Sequence, residues 1–337
     1  MQVLLIGGTG LLGSEGAKAM IARGDKVKAL ALPPVPQGAV LPPEIDIVFG
    51  NYMHMPDKEL AGHLKGCEGL VFAAGVDERL EGPPPIYNMF EKYNITPLRR
   101  LLRIAKEQGV KHTVICGSYF SHFAKQWPDM ELGRRHPYIQ SRLDQEEMAF
   151  SFADTDFHVA ILQIPYVFGA QPGRKPVWMF LVDIIRAMPF ATFYPAGGSA
   201  MVTTRQVGHA MAEALHRSRS AKAWPLGCVN MTWQEMLGIF HKYMGYPKRR
   251  VVTISKGLFT LGAKARKARL KRRGLETGLD YDVLGELMTR NAYIDPAAGC
   301  EPLGLPREDM EKAIGESVTL CMDILKHQKS AVEMKGE

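Results

Sequence analysis

The stretch VLLIGGTGLLG, residues 3–13, decides the fold of this chain. The apolar run Val3–Ile6 is typical of a buried parallel strand, and the apolar spacing that follows the glycines is typical of a helix. At such a strand-to-helix junction Gly7 permits a tight turn, Gly10 lets backbone approach a pyrophosphate, and Gly13 lets the helix lie close to the strand. The order strand, turn, helix predicts a dinucleotide site whose phosphates face the helix N-terminus. The alternative is an ordinary glycine-rich loop that binds nothing.

The composition is that of a globular protein with room for one large domain or two joined ones. The chain has 337 residues, of which 46% are hydrophobic and 23% charged. Because the first strand follows Met1 almost at once, we expect no signal or transit peptide. The longest apolar stretch, residues 177–194, is interrupted by Asp183, Arg186 and Pro189, so we expect no integral membrane span.

Charge and cysteine content restrict the compartment and the partners. The net charge of +7 is matched by the seven basic residues of segment 264–273. That segment could dock on an anionic membrane, nucleic acid or an acidic ligand, but a solvated helix face is commoner, and we predict no nucleic-acid partner. The five cysteines are widely spaced and, like the scattered histidines, show no metal-ligand spacing, which favours a reducing cytoplasm and no metal site.

Strand and helix patterns alternate through the first half of the chain. After the first strand, further strands are predicted at residues 26–32, 45–49, 70–74, 112–116 and 157–164, with a crossover helix at 86–108. Alternation of this kind predicts an α/β fold with a doubly wound, Rossmann-type parallel sheet.

Beyond Pro165 glycines and prolines break the chain into short pieces, which predicts a smaller C-terminal substrate-binding part. We therefore expect a dinucleotide-binding Rossmann domain over residues 1–165 and a mostly substrate-binding part over 166–330. Segments near 200–216 are expected to return and pack on the Rossmann domain. Residues 331–337 are expected to form a disordered tail.

Further motifs occur in the order of one known family. They are the glycine turn, Val71–Gly75 (VFAAG), Tyr93–Ile95 (YNI), Val114–Ser118 (VICGS) and Pro165–Gly169 (PYVFG). With them the chain resembles the extended short-chain dehydrogenase/reductases, the group that includes NAD-dependent epimerases and dehydratases, dihydroflavonol-type reductases and 3β-hydroxysteroid dehydrogenases. The resemblance covers nearly the whole chain. It also suggests a homodimer formed through the helices around residues 86–108 and 138–152.

The resemblance implies a catalytic tyrosine, and Tyr138 is the candidate. A free tyrosine has a pKa of about 10, so work near neutral pH needs a neighbouring positive charge. The family has a lysine four residues later, on the same helix face, where this chain has Arg142. Arginine keeps the charge but stays protonated and cannot relay a proton, so we expect a slower or altered reaction, or none. By the same resemblance Ser118 would polarise the substrate oxygen and Asn94 would organise a water path.

The resemblance also implies a set of cofactor-binding residues for NAD or NADP. Where the family often has an acidic residue for a ribose hydroxyl or an arginine for a 2′-phosphate, this chain has only Ala31 and Leu32, which leaves the choice of dinucleotide open. The predicted cofactor-binding residues are Gly7, Thr9, Gly10, Leu11, Leu12, Gly13, Ala31, Leu32, Asn51, Tyr52, Ala73, Ala74, Gly75, Tyr138, Arg142, Pro165 and Val167.

Three functions follow from these observations. The first is an NAD(P)-dependent oxidoreductase for a carbonyl or alcohol of a small, fairly apolar molecule. Its apolar surface would come from Trp178, Met179, Phe180, Phe190, Phe193 and Tyr194, although core packing is the commoner role for each. The second is a nucleotide-sugar epimerase or dehydratase, which needs basic groups for a diphosphate. By the resemblance, the family's usual arginine falls near Ser199, which cannot bind a phosphate by charge, and Arg174 and Lys175 could substitute for it. The third is a catalytically silent dinucleotide sensor.

Overall fold

A computed structural model describes residues 1–327. Its strands are β1 Gln2–Ile6, β2 Lys26–Ala31, β3 Asp46–Phe49, β4 Gly69–Phe72, β5 Glu81–Gly82, β6 His112–Cys116, β7 His158–Gln163, β8 Tyr166–Phe168, β9 Ala191–Pro195, β10 Gly198–Thr203, β11 Ala221–Pro225, β12 Val229–Thr232, β13 Arg250–Ile254, β14 Glu276–Thr277 and β15 Asn291–Ala292. Its helices are α1 Leu11–Ala22, α2 Asp57–Leu64, α3 Tyr87–Phe90, α4 Thr96–Glu107, α5 Tyr119–Gln126, α6 Leu132–Arg135, α7 Pro137–Phe150, α8 Met179–Arg186, α9 Thr204–Arg217, α10 Trp233–Tyr243, α11 Lys256–Arg272, α12 Leu284–Met288 and α13 Met310–His327. The predicted tail, residues 331–337, lies outside the described residues.

Seven parallel strands form the main sheet, in the order β3-β2-β1-β4-β6-β7-β11. The chain winds outward from β1 in one direction and from β4 in the other, so the carboxyl ends of these two strands flank the point where the winding reverses. Ligands of open α/β sheets bind at such points. The predicted Rossmann-type sheet is confirmed, and all six predicted strands are present within two residues at each end.

The seventh strand, β11, was not predicted from the sequence. Its residues, Ala-Lys-Ala-Trp-Pro, lack an apolar run because β11 is an edge strand with its first two residues exposed. Edge strands commonly carry lysine and proline.

Helices cover both faces of the main sheet. On one face α1 and α9 pack against each other and against Val3, Leu5 and Val114. On the other face α2, α4 and α7 lie over Leu4, Ile6 and other strand residues of opposite orientation. Successive side chains of a strand point to opposite faces of the sheet. Because helices cover both faces, nearly every side chain of a central strand is buried and apolar. The crossover helix contains one π-helical segment, Glu91–Ile95, between α3 and α4.

The smaller part contains a second sheet, in which β10 lies between β12 and β15 and also pairs with β8. Helices α8, α10 and α13 pack around a core that includes Phe168 and Trp178, whose rings stack 4.4 Å apart. From β10 the chain continues directly into α9, which returns to the main sheet. Among residues 1–327 no helix combines the length and apolarity needed to cross a membrane.

Candidate dinucleotide and catalytic site

The glycine turn between β1 and α1 has no room for a side chain at Gly7 or Gly13. Gly7 has a φ of +84° and its N–H donates to the carbonyl of Leu30, 2.8 Å away. A Cβ on Gly7 would lie 2.6 Å from the carbonyl oxygen of Ala73, and one on Gly13 would lie 2.2 Å from the carbonyl oxygen of Gly7. Real Cβ atoms do not approach backbone so closely, so the close fit of turn, helix and β4 requires glycine at both positions.

The N-terminus of α1 is built to receive an anion. Gly10 is the residue that caps the helix and has no side chain to accept a hydrogen bond from the first turn. Amide groups of Leu11, Leu12 and Gly13 therefore point out of the helix end with the positive pole of the helix dipole behind them. A dinucleotide pyrophosphate fits this cradle by charge and by donor set.

A strap, residues 169–178, lies across this turn. The Gln171 side-chain amide donates to the carbonyl of Thr9 at 3.1 Å and to the hydroxyl of Ser14 at 3.2 Å. Arg174 Nε in turn donates to Gln171 Oε1 at 3.1 Å. The groove between the strap, Leu11 and neighbouring residues encloses only about 10 Å³, room for about one water. The strap therefore packs closely against the glycine turn and the start of α1.

The strap is also held at its two flanks. On one side a Cβ on Gly173 would lie 2.3 Å from the carbonyl oxygen of Gln37, so the loop after β2 touches the strap directly. On the other side Arg79, in the loop after β4, donates to the carbonyl of Val177 at 2.6 Å, and its guanidinium lies 5.6 Å from the ring centre of Phe180.

The predicted adenosine-side residues follow the carboxyl ends of β2, β3 and β4. Ala31 is buried and Leu32 is exposed, and neither offers a charge to a ribose hydroxyl or phosphate. Asn51 accepts a hydrogen bond from the N–H of Met53 at 3.0 Å, and Tyr52 meets Phe72 edge to face at 5.8 Å. The remaining predicted residues at this edge are Ala73, Ala74 and Gly75, which follow β4, and Pro165 and Val167, which flank the start of β8.

The structure brings Tyr138, Arg142 and Ser118 together. Tyr138 is the second residue of α7, and Arg142, one turn later, donates from Nε to the phenol oxygen at 3.0 Å. Ser118 follows β6 and caps α5, where its hydroxyl accepts from the N–H of Phe120 at 3.3 Å and also faces the phenol. All three lie at the carboxyl edge of the main sheet, on the same edge as the glycine turn.

Burial dominates the electrostatics of Tyr138 and raises its pKa above the usual value. The guanidinium of Arg142 and the hydroxyl of Ser118 oppose this rise, whereas the carboxylates of Glu78 and Asp77 add to it. The phenol is therefore neutral at physiological pH and holds a proton that it can donate.

Arg142 and Asn94 are each engaged by several backbone and side-chain groups. Arg142 donates to Gln145 Oε1 at 2.7 Å and to the carbonyl of Val76 at 3.1 Å, and Gln145 donates to the carbonyl of Asn94 at 2.7 Å. The Asn94 amide donates to the carbonyl of Val76 at 3.0 Å and accepts from its N–H at 2.8 Å. Asn94 thus fixes the loop after β4, while Gly75, at a φ of +120°, approaches its side chain too closely for a Cβ.

Three further features near Tyr138 were not predicted from the sequence. The carbonyl of Gly278 accepts from the N–H of Tyr138 at 2.9 Å, and the N–H of Asp280 donates to Nδ1 of His136 at 2.9 Å. Burial, with the neighbouring Asp77, raises the pKa of Glu78 to about 7. The charged triplet at 77–79, directly after a predicted strand, was the available sequence signal for Glu78. The contact with Gly278 had none.

The aromatic residues predicted to line a substrate pocket occupy different environments. Trp178 and Met179 are buried in the core of the smaller part, whereas Phe190 is 92% exposed. Closer to Tyr138, Phe90 and Phe120 meet its ring edge to face at 5.3 and 6.2 Å. Ser199 is fully buried and its hydroxyl donates to the phenol oxygen of Tyr119 at 3.2 Å, while Arg174 lies on the strap.

Solved structures of similar fold include epimerases. The chain is 19% identical to gox2253, with a TM-score of 0.72. The superposition covers 98% of this chain and 99% of gox2253. It is 15% identical to a nucleoside-diphosphate-sugar epimerase from Pseudomonas aeruginosa (TM-score 0.66; coverage 98% and 99%). It is 13% identical to the Bordetella bronchiseptica enzyme WbmH in complex with NAD⁺ (TM-score 0.66; coverage 97% and 99%). At these identities the likeness shows the fold alone. No curated protein sequence matches the chain significantly.

A comparison with sequence models of protein families identifies the family of this chain. The model of the NAD dependent epimerase/dehydratase family matches residues 3–190, which include the glycine turn, Ser118 and Tyr138. The match spans more than half of the 337 residues. The chain therefore belongs to the NAD dependent epimerase/dehydratase family.

Proposed function

We propose that this chain is an NAD(P)-dependent oxidoreductase that acts on a carbonyl or alcohol of a small, fairly apolar molecule. The observation that carries the proposal is the contact of the Tyr138 phenol with Arg142 and Ser118 at the sheet edge that also bears the glycine turn. A proton donor, a hydroxyl and a fixed positive charge at one point are what proton transfer at a substrate oxygen requires.

Each residue has a separate role in this proposal. Ser118 binds the substrate oxygen through its hydroxyl and orients it toward Tyr138. Tyr138 gives its proton to that oxygen as a carbonyl is reduced, and takes it back when an alcohol is oxidised. Arg142 holds the phenol in place and stabilises the phenolate, but its guanidinium stays protonated and passes no proton on. The proton must therefore reach solvent by a route that does not include Arg142.

The glycine turn would hold the dinucleotide. The first-turn amides of α1 would bind the pyrophosphate, and the residues after β2, β3 and β4 would lie along the adenosine half. When bound, the nicotinamide supplies or accepts the hydride. Family membership and the WbmH structure with NAD⁺ support a dinucleotide of this kind. Ala31 and Leu32 carry no charge that selects NAD or NADP, so both belong in the test.

Two observations support an apolar substrate. The ring of Tyr138 packs between the rings of Phe90 and Phe120, so its immediate surroundings include apolar side chains. Ser199, near which the family usually has an arginine, is buried against Tyr119 and offers no positive charge to a diphosphate. Turnover of an uncharged ketone or alcohol needs no such charge.

A nucleotide-sugar epimerase or dehydratase is the second candidate. The P. aeruginosa protein of similar fold is described as a nucleoside-diphosphate-sugar epimerase. Arg174 on the strap is a cation that could face a substrate diphosphate once its bond to Gln171 opens.

The test is a binding titration followed by turnover. NADH and NADPH are titrated against the protein by fluorescence, and binding of at least one in the micromolar range is expected. Turnover is then measured on ketones, steroids and UDP-sugars. Tyr138→Phe should abolish turnover but not binding, whereas the matched control Tyr243→Phe, on α10, should change neither.

The outcomes separate the candidates. Failure of both dinucleotides to bind refutes every enzymatic proposal. Turnover of UDP-sugars alone replaces the first candidate with the second. Binding with no turnover in any arm identifies a catalytically silent dinucleotide sensor, and full activity of Tyr138→Phe contradicts the role assigned to Tyr138.

A further inference from the structure

Two cysteines that are 72 residues apart in the sequence meet beside the edge strand β11, against the apolar core of the main sheet. Cys228 lies between β11 and β12, and Cys300 follows a short 3₁₀ turn, Pro296–Ala298. Their sulfur atoms are 2.7 Å apart, with the thiol of Cys228 donating to Sγ of Cys300. A disulfide needs a sulfur–sulfur distance of about 2.05 Å, so the two sulfurs can bond with little movement of the backbone.

The chain segments that carry this pair are already in close contact. The N–H of Gly227 donates to Sγ of Cys300 at 3.2 Å. A Cβ on Gly227 would lie 2.5 Å from Cβ of Ile294, and one on Gly299 would lie 2.2 Å from the carbonyl oxygen of Pro225. The packing of these glycines fixes the two segments side by side whether or not the sulfurs are bonded.

The environment of the pair differs from that of the other three cysteines. The hydrogen bonds from Cys228 and Gly227 lower the pKa of the Cys300 thiol against the rise that burial causes, and the bond between the two sulfurs raises the pKa of Cys228. Burial raises the pKa of Cys67, and it raises the pKa values of Cys116 and Cys321 to about 12. The thiolate is the nucleophilic form of cysteine, so we expect reactivity at the pair rather than at Cys67, Cys116 and Cys321. Cys300 is itself only 4% exposed, so a small oxidant must approach from the side of the half-buried Cys228.

We propose that Cys228 and Cys300 are a reversible oxidation site that closes to a disulfide when the protein meets a hydroperoxide. The thiolate of Cys300 attacks the outer peroxide oxygen, the O–O bond breaks, and the alkoxide or hydroxide that leaves takes a proton. The sulfenic acid formed on Cys300 is then attacked by the sulfur of Cys228, which loses its proton as water departs. Two thiols and one hydroperoxide give one disulfide, one alcohol or water, and one water. A dithiol restores both thiols by exchange.

The inference does not depend on the proposed enzymatic function, because its readout is chemical. The reduced protein is treated with one equivalent of hydrogen peroxide, alkylated with N-ethylmaleimide, and digested without reductant. The expected product is a cross-linked peptide pair containing Cys228 and Cys300. Of the five cysteines, Cys67, Cys116 and Cys321 should remain as free thiols in a thiol assay of the denatured protein. Dithiothreitol should restore the count to five.

Single variants identify the order of the two steps. In Cys228→Ser the sulfenic acid on Cys300 has no resolving partner and should be trapped by dimedone. The matched control Cys321→Ser should still form the cross-link. Because the bond closes a loop of 72 residues, oxidation of the parent should also raise the melting temperature by about 6 °C.

Three results would overturn the proposal. The first is that peroxide leaves Cys228 and Cys300 as separately alkylated thiols. The second is that Cys67, Cys116 or Cys321 is oxidised before the pair. The third is that the cross-linked peptides join other cysteines. A protein that already carries the Cys228–Cys300 bond when purified without reductant supports the proposal, provided that dithiothreitol opens it.

Discussion

Replacing Arg142 by methionine should suppress ionisation of Tyr138. The guanidinium donates to the phenol oxygen at 3.0 Å and is only 7% exposed, so water cannot take its place. A hydrogen bond between a charged and a neutral group contributes about 1.5–3 kcal/mol. Since about 1.4 kcal/mol is a factor of ten, the phenolate fraction of Tyr138 at a fixed pH should fall by about 10- to 150-fold. Methionine keeps the unbranched apolar stem and removes the charge together with the bonds to Tyr138, Gln145 and Val76.

The ionisation can be followed without knowledge of the substrate. Protein labelled with ¹³C at the tyrosine ring carbon that bears oxygen is titrated by NMR between about pH 8 and pH 12. The Tyr138 signal is assigned by its absence from Tyr138→Phe. In Arg142→Met the pH at the midpoint of the Tyr138 titration should be higher than in the parent. In Arg142→Lys that midpoint should lie between the two.

A control variant separates the local charge from net charge. Arg134 is 71% exposed and pairs with Glu131 on the element before α7, so Arg134→Met removes one charge of the same kind. That variant should leave the Tyr138 midpoint in place. A midpoint that is unchanged or lower in Arg142→Met, in protein that is still folded by circular dichroism, refutes the assignment of Arg142 as the group that stabilises the phenolate.

Three further predictions concern the turn and the buried titratable groups. Gly13→Ala should weaken NADH binding in a fluorescence titration by at least about 100-fold, because its Cβ would lie 2.2 Å from the carbonyl oxygen of Gly7, whereas Gly62→Ala, with nothing within 4 Å, should bind as the parent does; equal affinities would contradict the role of the turn. Burial lowers the pKa of His136 to about 4, so the unfolded chain binds a proton first, and stability of up to about 3 kcal/mol should be lost as the pH falls from about 6.5 to 4. Urea unfolding across that range should show this loss in the parent and a smaller one in His136→Asn; equal slopes would refute it. Burial raises the pKa of Tyr194 to about 12, so the free energy of unfolding should fall as the pH rises from about 10 to 12. Urea unfolding across that range should show a smaller fall for Tyr194→Phe than for the parent.

The main sheet could be predicted from the sequence because local pattern determines it. Parallel strands covered on both faces are continuous apolar runs, and five of these alternate with helical spacing after β1. The π-helical segment at Glu91–Ile95 could not be predicted, because its residues have the same apolar spacing as the helix on either side. For β11 the pattern was absent, since its first two residues face solvent.

The candidate site likewise contains residues that the sequence predicts and contacts that it does not. Tyr138 and Ser118 were identified through the resemblance to a known family, and the four-residue interval then predicted that Tyr138 and Arg142 share one helix face. The strap was not found, because its bond from Gln171 to Thr9 joins residues 162 positions apart. The contact of Gly278 with Tyr138 likewise exists only after the chain has folded. Contacts of this range leave no periodic signal in a single sequence.

A dinucleotide bound beneath the strap could be exchanged only as often as the strap opens. A net oxidation or reduction consumes one dinucleotide per cycle, so the spent molecule must leave and a fresh one must enter each time. The bonds of Gln171 to the turn would then have to break in every cycle, and the opening rate of the strap would be an upper limit on kcat. A reaction that returns the hydride to the same molecule keeps its dinucleotide in place and escapes that limit. The residence time of the dinucleotide, compared with the time of one turnover, would therefore tell the two classes of chemistry apart.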